Sequence, residues 1–210
     1  MTQATKGYLK IGLTGGIGSG KTTAAKRFRE LGAHVYHADA VSRGALDYGA
    51  ECYNRVVAAF GKAVLRGDGS IDRKMLGEIV FADEAKRDIL NGIIHPYVIE
   101  TLFSQADEDC NAEPNAIAVF EVPLLFESGM NERMDRNVVV LSQQEIRIQR
   151  VMQRDLLTRE QVLARMRAQM PEEEKLLLAD DILVNDGSEN ELIDQVDVLY
   201  ETLKTGGTRA

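Results

Sequence analysis

The chain has 210 residues, 44% of them hydrophobic, which suits one well-buried α/β core carrying an inserted helical region and leaves too little for two unrelated domains. Its net charge of −8 argues against nucleic acid or an anionic membrane surface as the main partner, so any anionic ligand must be held by local positive groups. Met1 to Lys10 lacks the apolar stretch of a signal peptide and no segment has the length of a membrane span, so the expectation is a cytoplasmic protein, a monomer or a small homo-oligomer. Tyr8, Leu9, Ile11 and Leu13 predict a buried first strand over Tyr8 to Thr14. The next stretch, Gly15-Gly16-Ile17-Gly18-Ser19-Gly20-Lys21-Thr22-Thr23, fits the G-x-x-x-x-G-K-[ST] phosphate loop without a gap. Glycines carry no Cβ, so the backbone can fold until several N–H groups point at one anion, and the following helix adds its positive end. Gly16, Ile17, Gly18, Ser19, Gly20, Lys21, Thr22 and Thr23 are therefore the candidate nucleotide contacts. Lys21 is expected to reach the β- and γ-phosphates, and the Thr22 hydroxyl to hold a magnesium ion between them.

Ala24, Ala25, Phe28 and Leu31 repeat at helical spacing, and Gly32 offers the left-handed stop that helices favour. Ala33 to Tyr36 reads as a second strand ending in His37-Ala38-Asp39. Ligands of doubly wound sheets bind beyond the carboxyl ends of the strands, which makes Asp39 a catalytic candidate. It is equally a candidate N-cap for a helix over Ala40 to Leu46. From Ala40 to Pro114 the pattern is mostly helical: Cys52, Val56, Val57 and Phe60 share a face, Arg66 to Ser70 is a turn, and Asp72 and Asp83 are caps. Cys52 and Cys110 match neither a metal-ligand nor a redox pair and read as reduced thiols. Pro96 is expected to interrupt the helix that begins after Asp83, with Tyr97 to Ala106 resuming at an angle. His95, just before it, is either a ligand contact or a helix-end hydrogen-bonding residue.

Ile117 to Val122 suits a central strand closed by Pro123. Glu121 at its carboxyl end either holds a magnesium-bound water or satisfies loop N–H groups. After another short strand, Asn137 to Leu141, the run Ser142 to Glu145 has the form of a capping box and opens a helix with Arg147, Arg150 and Arg154 on one face. Thr158 to Gln161 opens a second basic helix with Arg165 and Arg167. The two suggest a lid that brings guanidinium groups over phosphates, or else a solvated charged face. Asp181 to Val184 is the last strand, Asn185-Asp186-Gly187 its turn, and Ser188 with Glu191 caps a final helix. Lys204 to Ala210 is expected to fray.

There is no Asn-Lys-x-Asp tetrad of a GTPase and no Leu-Ser-Gly-Gly-Gln signature of a transporter ATPase. A phosphate loop, a helical insertion after strand 2 and a late arginine-bearing lid fit the plan of a small-molecule kinase, which must exclude water if ATP is not to be hydrolysed. The expected fold is α/β, a P-loop NTPase-type three-layer sandwich with a central parallel sheet. Residues 1–210 form a single kinase domain, with a helical acceptor-binding insertion over 40–114 and a lid over 143–170.

Over nearly its whole length the chain also resembles the dephospho-CoA kinase family. The resemblance rests on Leu13 to Lys21, Ala38-Asp39, Ile79-Val80-Phe81, His95-Pro96, Val122 to Glu127, Gln149 to Asp155, Arg165 to Gln169, Pro171, Lys175, Ala179-Asp180 and Asn185 to Gly187. It implies ATP-dependent phosphorylation of the ribose 3′-hydroxyl of dephospho-coenzyme A, with ATP and Mg²⁺ as cofactors and without nucleic acid or membrane partners. It further implies that Asp39 accepts or orients the acceptor hydroxyl, that Arg150 and Arg154 close over the phosphates, and that Asn185 belongs to an adenine-side loop. His37 departs from the Asp or Asn often found there in the family, which puts a role for residue 37 in doubt and leaves Asp39 untouched. The alternatives are a kinase of the same plan acting on another nucleoside or nucleotide, and a nucleotide-sensing module without turnover.

Overall fold

Apolar, β-branched runs bounded by turn residues become five strands: β1 (Leu9–Thr14), β2 (His34–His37), β3 (Ile117–Glu121), β4 (Arg136–Leu141) and β5 (Asp181–Val184). They form one sheet in the order β2-β3-β1-β4-β5, with β1 parallel to both β3 and β4, and β4 parallel to β5. The computed structural model describes residues 7–206 apart from Pro114. Residues 1–6 and 207–210, on which the leader and frayed-tail expectations partly rest, lie outside the described residues, as does Pro114 at the end of the expected insertion. Because β1 is central, the loop that follows it emerges over the middle of the sheet. The register Leu13↔Glu121 sets the last residue of β3 beside the end of β1.

The helices are α1 (Lys21–Glu30), α2 (Ala38–Gly44), α3 (Glu51–Phe60), α4 (Arg73–Ala82), α5 (Glu84–Cys110), α6 (Gln144–Asp155), α7 (Arg159–Arg167), α8 (Glu172–Leu177) and α9 (Glu189–Lys204). The chain divides into two compact units, Met1–Tyr36 with Ala106–Ala210, and His37–Gln105. In the sheet unit, the alternation of β1, β3 and β4 sends Ile11, Leu13, Ile117, Val119, Val138 and Val140 to the face covered by α1 and α9, where they pack with Phe28, Leu192, Val196 and Leu203. Phe28 is fully buried, and truncating it to Ala would cost about 3–5 kcal/mol. Arg27 ties the two helices with a forked pair to Asp197 at 2.6 and 2.7 Å. On the opposite face Tyr36 stacks on Phe120 at 5.3 Å. The end of α5 belongs to this unit, since Tyr8 Oη donates to Asp107 (2.9 Å) and Tyr36 Oη to Asp109 (3.0 Å).

The helical unit holds α2, α3, α4 and most of α5 around Cys52, Val56, Val64, Leu76, Ile93 and Ile94, all buried. Asp72 caps α4 by accepting from the Lys74 and Met75 amides, and Asp83 accepts from the Lys86 amide at 3.2 Å. Both cysteines are free and buried.

Three local expectations are overturned. The helix is not interrupted at Pro96: α5 runs continuously through it. An internal proline costs about 3 kcal/mol, but Ile93 and Ile94 before it and Val98 and Leu102 after it are all buried, each contributing about 1.5–3 kcal/mol. Secondly, Asp39 is not the N-cap of its helix, because α2 begins at Ala38 with His37 in the cap position. Thirdly, Ser142 does not cap α6: Gln143 holds the cap position without a side-chain cap bond. Gln143 instead gives its N–H to Asp186 (2.7 Å), and the buried Ser142 hydroxyl faces Arg150. The capping boxes at Thr158/Gln161 and Ser188/Glu191 form as expected.

Candidate active site

The turn from β1 into α1 builds the site from backbone. Gly18 (φ +79°) and Gly20 (φ +101°) lie in the left-handed region. A Cβ at Gly20 would collide with Asn185 Nδ2, and one at Gly18 would stand 2.8 Å from the Arg147 carbonyl oxygen, so both torsion and space require glycine. Gly20 caps α1 without a side-chain bond, and no acidic residue occupies the first turn. The positive end of the helix thus faces the loop with no acidic residue in its own first turn, an arrangement that suits a phosphate. Ser19 is fully buried, and its hydroxyl oxygen has no hydrogen-bond partner among the described residues. Lys21 folds across the loop, its Nζ donating to the Gly15 (2.8 Å) and Gly16 (3.3 Å) carbonyls.

At the carboxyl end of β3, the Glu121 carboxylate accepts from the Thr22 hydroxyl at 2.9 Å. These are the two oxygen donors expected near a metal. Among the described residues no group of three or more His, Cys, Asp or Glu is placed to hold one by itself.

On the α9 side, Gly20, Thr23, Arg150, Asn185, Glu189 and Leu192 line a pocket of about 170 Å³. Asn185 is buried; its Nδ2 donates to the Ser19 carbonyl at 2.7 Å, and its backbone oxygen accepts from Arg150 Nη1 at 3.1 Å. One residue thereby joins the phosphate loop to α6. Arg154 lies elsewhere: it is largely exposed and forks onto Asp155 at 2.7 and 3.0 Å, holding that carboxyl below its ordinary range. Helical spacing aligns Arg147, Arg150 and Arg154, yet each takes a different partner. Asp39 is exposed in the first turn of α2, while His37 and His95 are half-buried.

Sequence reasoning missed a second ring of residues around the loop. Arg147 is buried and pairs with Glu172 at 3.0 Å; burial pushes the Glu172 carboxyl up while Arg147 pulls it down. Lys175, 1% exposed, pairs with Glu127 at 3.2 Å, and Glu127 also accepts from the Met170 amide at 2.8 Å. Gln169 Oε1 accepts from the Ile17 amide at 3.0 Å. With Gly16 and Gln144, several of these line a cleft of about 400 Å³. Glu127, Gln169 and Lys175 were visible only as points of family resemblance; nothing in their immediate sequence announces a buried charge or a long-range partner.

The family model described as dephospho-CoA kinase matches residues 9–191. The chain belongs to the dephospho-CoA kinase family. A dephospho-CoA kinase of Bacillus cereus is 41% identical over 91% of this chain and 95% of its own length. Among solved structures, a Thermus thermophilus protein is 37% identical with a TM-score of 0.79, covering 93% of this chain and 98% of its own. The dephospho-CoA kinase of Campylobacter jejuni is 30% identical with a TM-score of 0.68, covering 93% and 97%. The family-matched span includes the phosphate loop, the Thr22–Glu121 pair, Asn185 and the charged pairs around the loop. No helix among the described residues is long and apolar enough to cross a membrane.

Proposed function

We infer that this chain catalyses the ATP-dependent phosphorylation of dephospho-CoA, the last step of coenzyme A synthesis, and that the phosphoryl group goes to the ribose 3′-hydroxyl. The observation that carries this reading is the phosphate loop itself: left-handed glycines, a helix end and a lysine drawn across the loop, in a chain of this family. ATP lies along the loop, with Lys21 and the amides out to Thr23 against its β- and γ-phosphates. Phosphoryl transfer passes through a loose transition state, so positioning and charge stabilisation dominate. The acceptor oxygen forms its bond to the γ-phosphorus as the bond to the bridging oxygen of ADP breaks, and Asp39 orients the acceptor hydroxyl and receives its proton. Arg150 and Arg154 steady the phosphates, and Asn185 flanks the adenine in the pocket it lines.

Magnesium favours oxygen donors and binds through one or two protein groups together with waters and substrate phosphates. The Thr22 hydroxyl and Glu121 carboxylate, 2.9 Å apart, fit that description. When bound, the ion supplies positive charge between the β- and γ-phosphates. The helical residues 40–114 are assigned the acceptor and 143–170 the lid. The enzyme is assigned to the cytoplasm as a monomer or small homo-oligomer.

A coupled assay of ADP release with dephospho-CoA and AMP as competing acceptors tests the reaction. Turnover should follow dephospho-CoA; equal or greater turnover with AMP would identify a nucleotide kinase, and ATP binding without acceptor-dependent ADP release a sensor. Asp39→Asn should lower kcat by about 10²-fold or more with little change in ATP affinity. Unchanged turnover would remove the role given to Asp39.

A further inference from the structure

We propose that Gln169 is a positioning residue that sets Lys21 through the peptide unit between Gly16 and Ile17. The inference rests on the assignment of ATP to the phosphate loop. A peptide group is planar, so fixing the direction of one N–H fixes the carbonyl on the same plane. The Ile17 N–H donates to Gln169 Oε1 at 3.0 Å. On the same plane, the Gly16 carbonyl accepts from Lys21 Nζ at 3.3 Å and from the Ser19 amide at 3.1 Å. The side chain at 169 therefore aims the carbonyl that the phosphate-directed lysine uses.

Such a clamp is needed because Gly16 resists rotation of its own backbone poorly; a flanking glycine makes a peptide flip inexpensive. Gln169 is itself held from behind. The next residue, Met170, gives its N–H to Glu127 at 2.8 Å, and Glu127 is fixed by the buried Lys175 at 3.2 Å. The Ile17 side chain adds a second hold on the same residue, packing against the small apolar cluster of Ile148, Val151 and Val162 between α6 and α7. Ile17 is thus gripped by main chain and side chain, and both grips come from the segment that follows β4. Its amide is committed to Gln169, leaving the amides nearer α1 to meet the triphosphate.

The experiment compares Gln169→Met, which keeps length and loses the acceptor, with Gln169→Glu, which keeps an acceptor. Amide hydrogen exchange at Ile17 is read without nucleotide, and ATP kinetics are read at saturating dephospho-CoA. Gln169→Met should speed exchange at Ile17 and lower kcat/KM for ATP, each by about tenfold, the scale of one lost neutral hydrogen bond. KM for dephospho-CoA should hold steady, and Gln169→Glu should keep the Ile17 protection. Unchanged exchange in Gln169→Met would overturn the hydrogen bond. Lost protection with unaltered ATP kinetics would overturn the positioning role while the ATP assignment stood, whereas wild-type enzyme without ATP turnover would remove both.

Discussion

The phosphate loop and the arginine-bearing stretch from α6 to α8 both offer positive groups in a molecule of net charge −8, but from different material. The loop uses backbone: amides, left-handed glycines and a helix end, all within a few residues of one another. The arginine stretch uses long side chains whose partners come from distant parts of the chain, Arg147 with Glu172, Arg150 with Asn185, and Lys175 with Glu127. A site made of main chain has its geometry written into the local sequence. A site made of side chains depends on which carboxylate or carbonyl the fold happens to deliver, and much of its charge is already matched within the protein. Substitutions in the first should therefore strike chemistry, and substitutions in the second should divide between chemistry, stability and nothing.

The largest effect is expected at Lys21. Lys21→Met removes the one side-chain cation of the loop and should lower kcat by about 10³-fold, with the melting temperature close to wild type. Its contacts include two hydrogen bonds to loop carbonyls, which methionine loses. A steady-state assay with dephospho-CoA beside a thermal melt checks both halves. A loss of turnover explained by unfolding would break the distinction between the two regions.

Legibility in the sequence follows the same division. The order and type of the core elements could be read because apolar runs, capping residues and glycine stops act over a few residues: β5 fell on Asp181–Val184 and the two capping boxes formed where Thr158 and Ser188 stand. Ser142 has the same local form as those caps, yet the fold buries it and turns its hydroxyl towards Arg150. Pro96 carries a strong local stop, which the burial of Ile93, Ile94, Val98 and Leu102 outweighs. At the candidate site, motif and strand end named the residues that the fold joins at Thr22 and Glu121. The pairing of Arg147 with Glu172, 25 residues away, was not, because no local pattern says which of several neighbouring glutamates a buried arginine will meet.

Arg150 comes next, since it borders the pocket shared with Gly20 and Asn185. Arg150→Ala should raise KM for ATP by about tenfold to a hundredfold, and it should release the Asn185 carbonyl it now binds. Arg150→Lys should recover only part of the loss, because a single ammonium nitrogen cannot reproduce the two-nitrogen grip on Asn185, Nη1 on its carbonyl and Nη2 on its Oδ1. Full recovery by lysine would show that charge alone matters and would draw Arg150 closer to the loop's mode of action.

Glu172 separates stability from chemistry. Burial lifts its carboxyl above the ordinary 4.5, with Arg147 opposing the shift. A carboxyl raised in the folded state ionises first in the unfolded chain. Its contribution is therefore full below about pH 4.5 and declines as pH rises towards the folded value. Glu172→Gln should remove that decline and lower stability near neutrality by up to about 3–5 kcal/mol, because it leaves the buried Arg147 guanidinium without a countercharge. Urea titrations of both proteins from about pH 4 to pH 8 would reveal the difference; identical pH profiles would show that Glu172 does not titrate in this range.

The smallest effect is expected at Arg154, and it tests the comparison from the other side. Its side chain is 63% exposed and its guanidinium forks onto the adjacent Asp155, a pair that water and salt screen well. Arg165 also reaches Asp155, at 3.4 Å, so removing Arg154 does not leave that carboxylate without a cation. Arg154→Ala should change stability by no more than about 0.5 kcal/mol. On ATP the outcome divides the two uses of charge. If Arg154 leaves Asp155 to steady the phosphates, KM for ATP rises severalfold and the rise shrinks with added salt, because exposed charges interact within a Debye length of about 8–10 Å. If KM is unchanged at low and at moderate salt, Arg154 serves Asp155 alone, and among the arginines on this face of α6 the phosphate-directed role falls to Arg150.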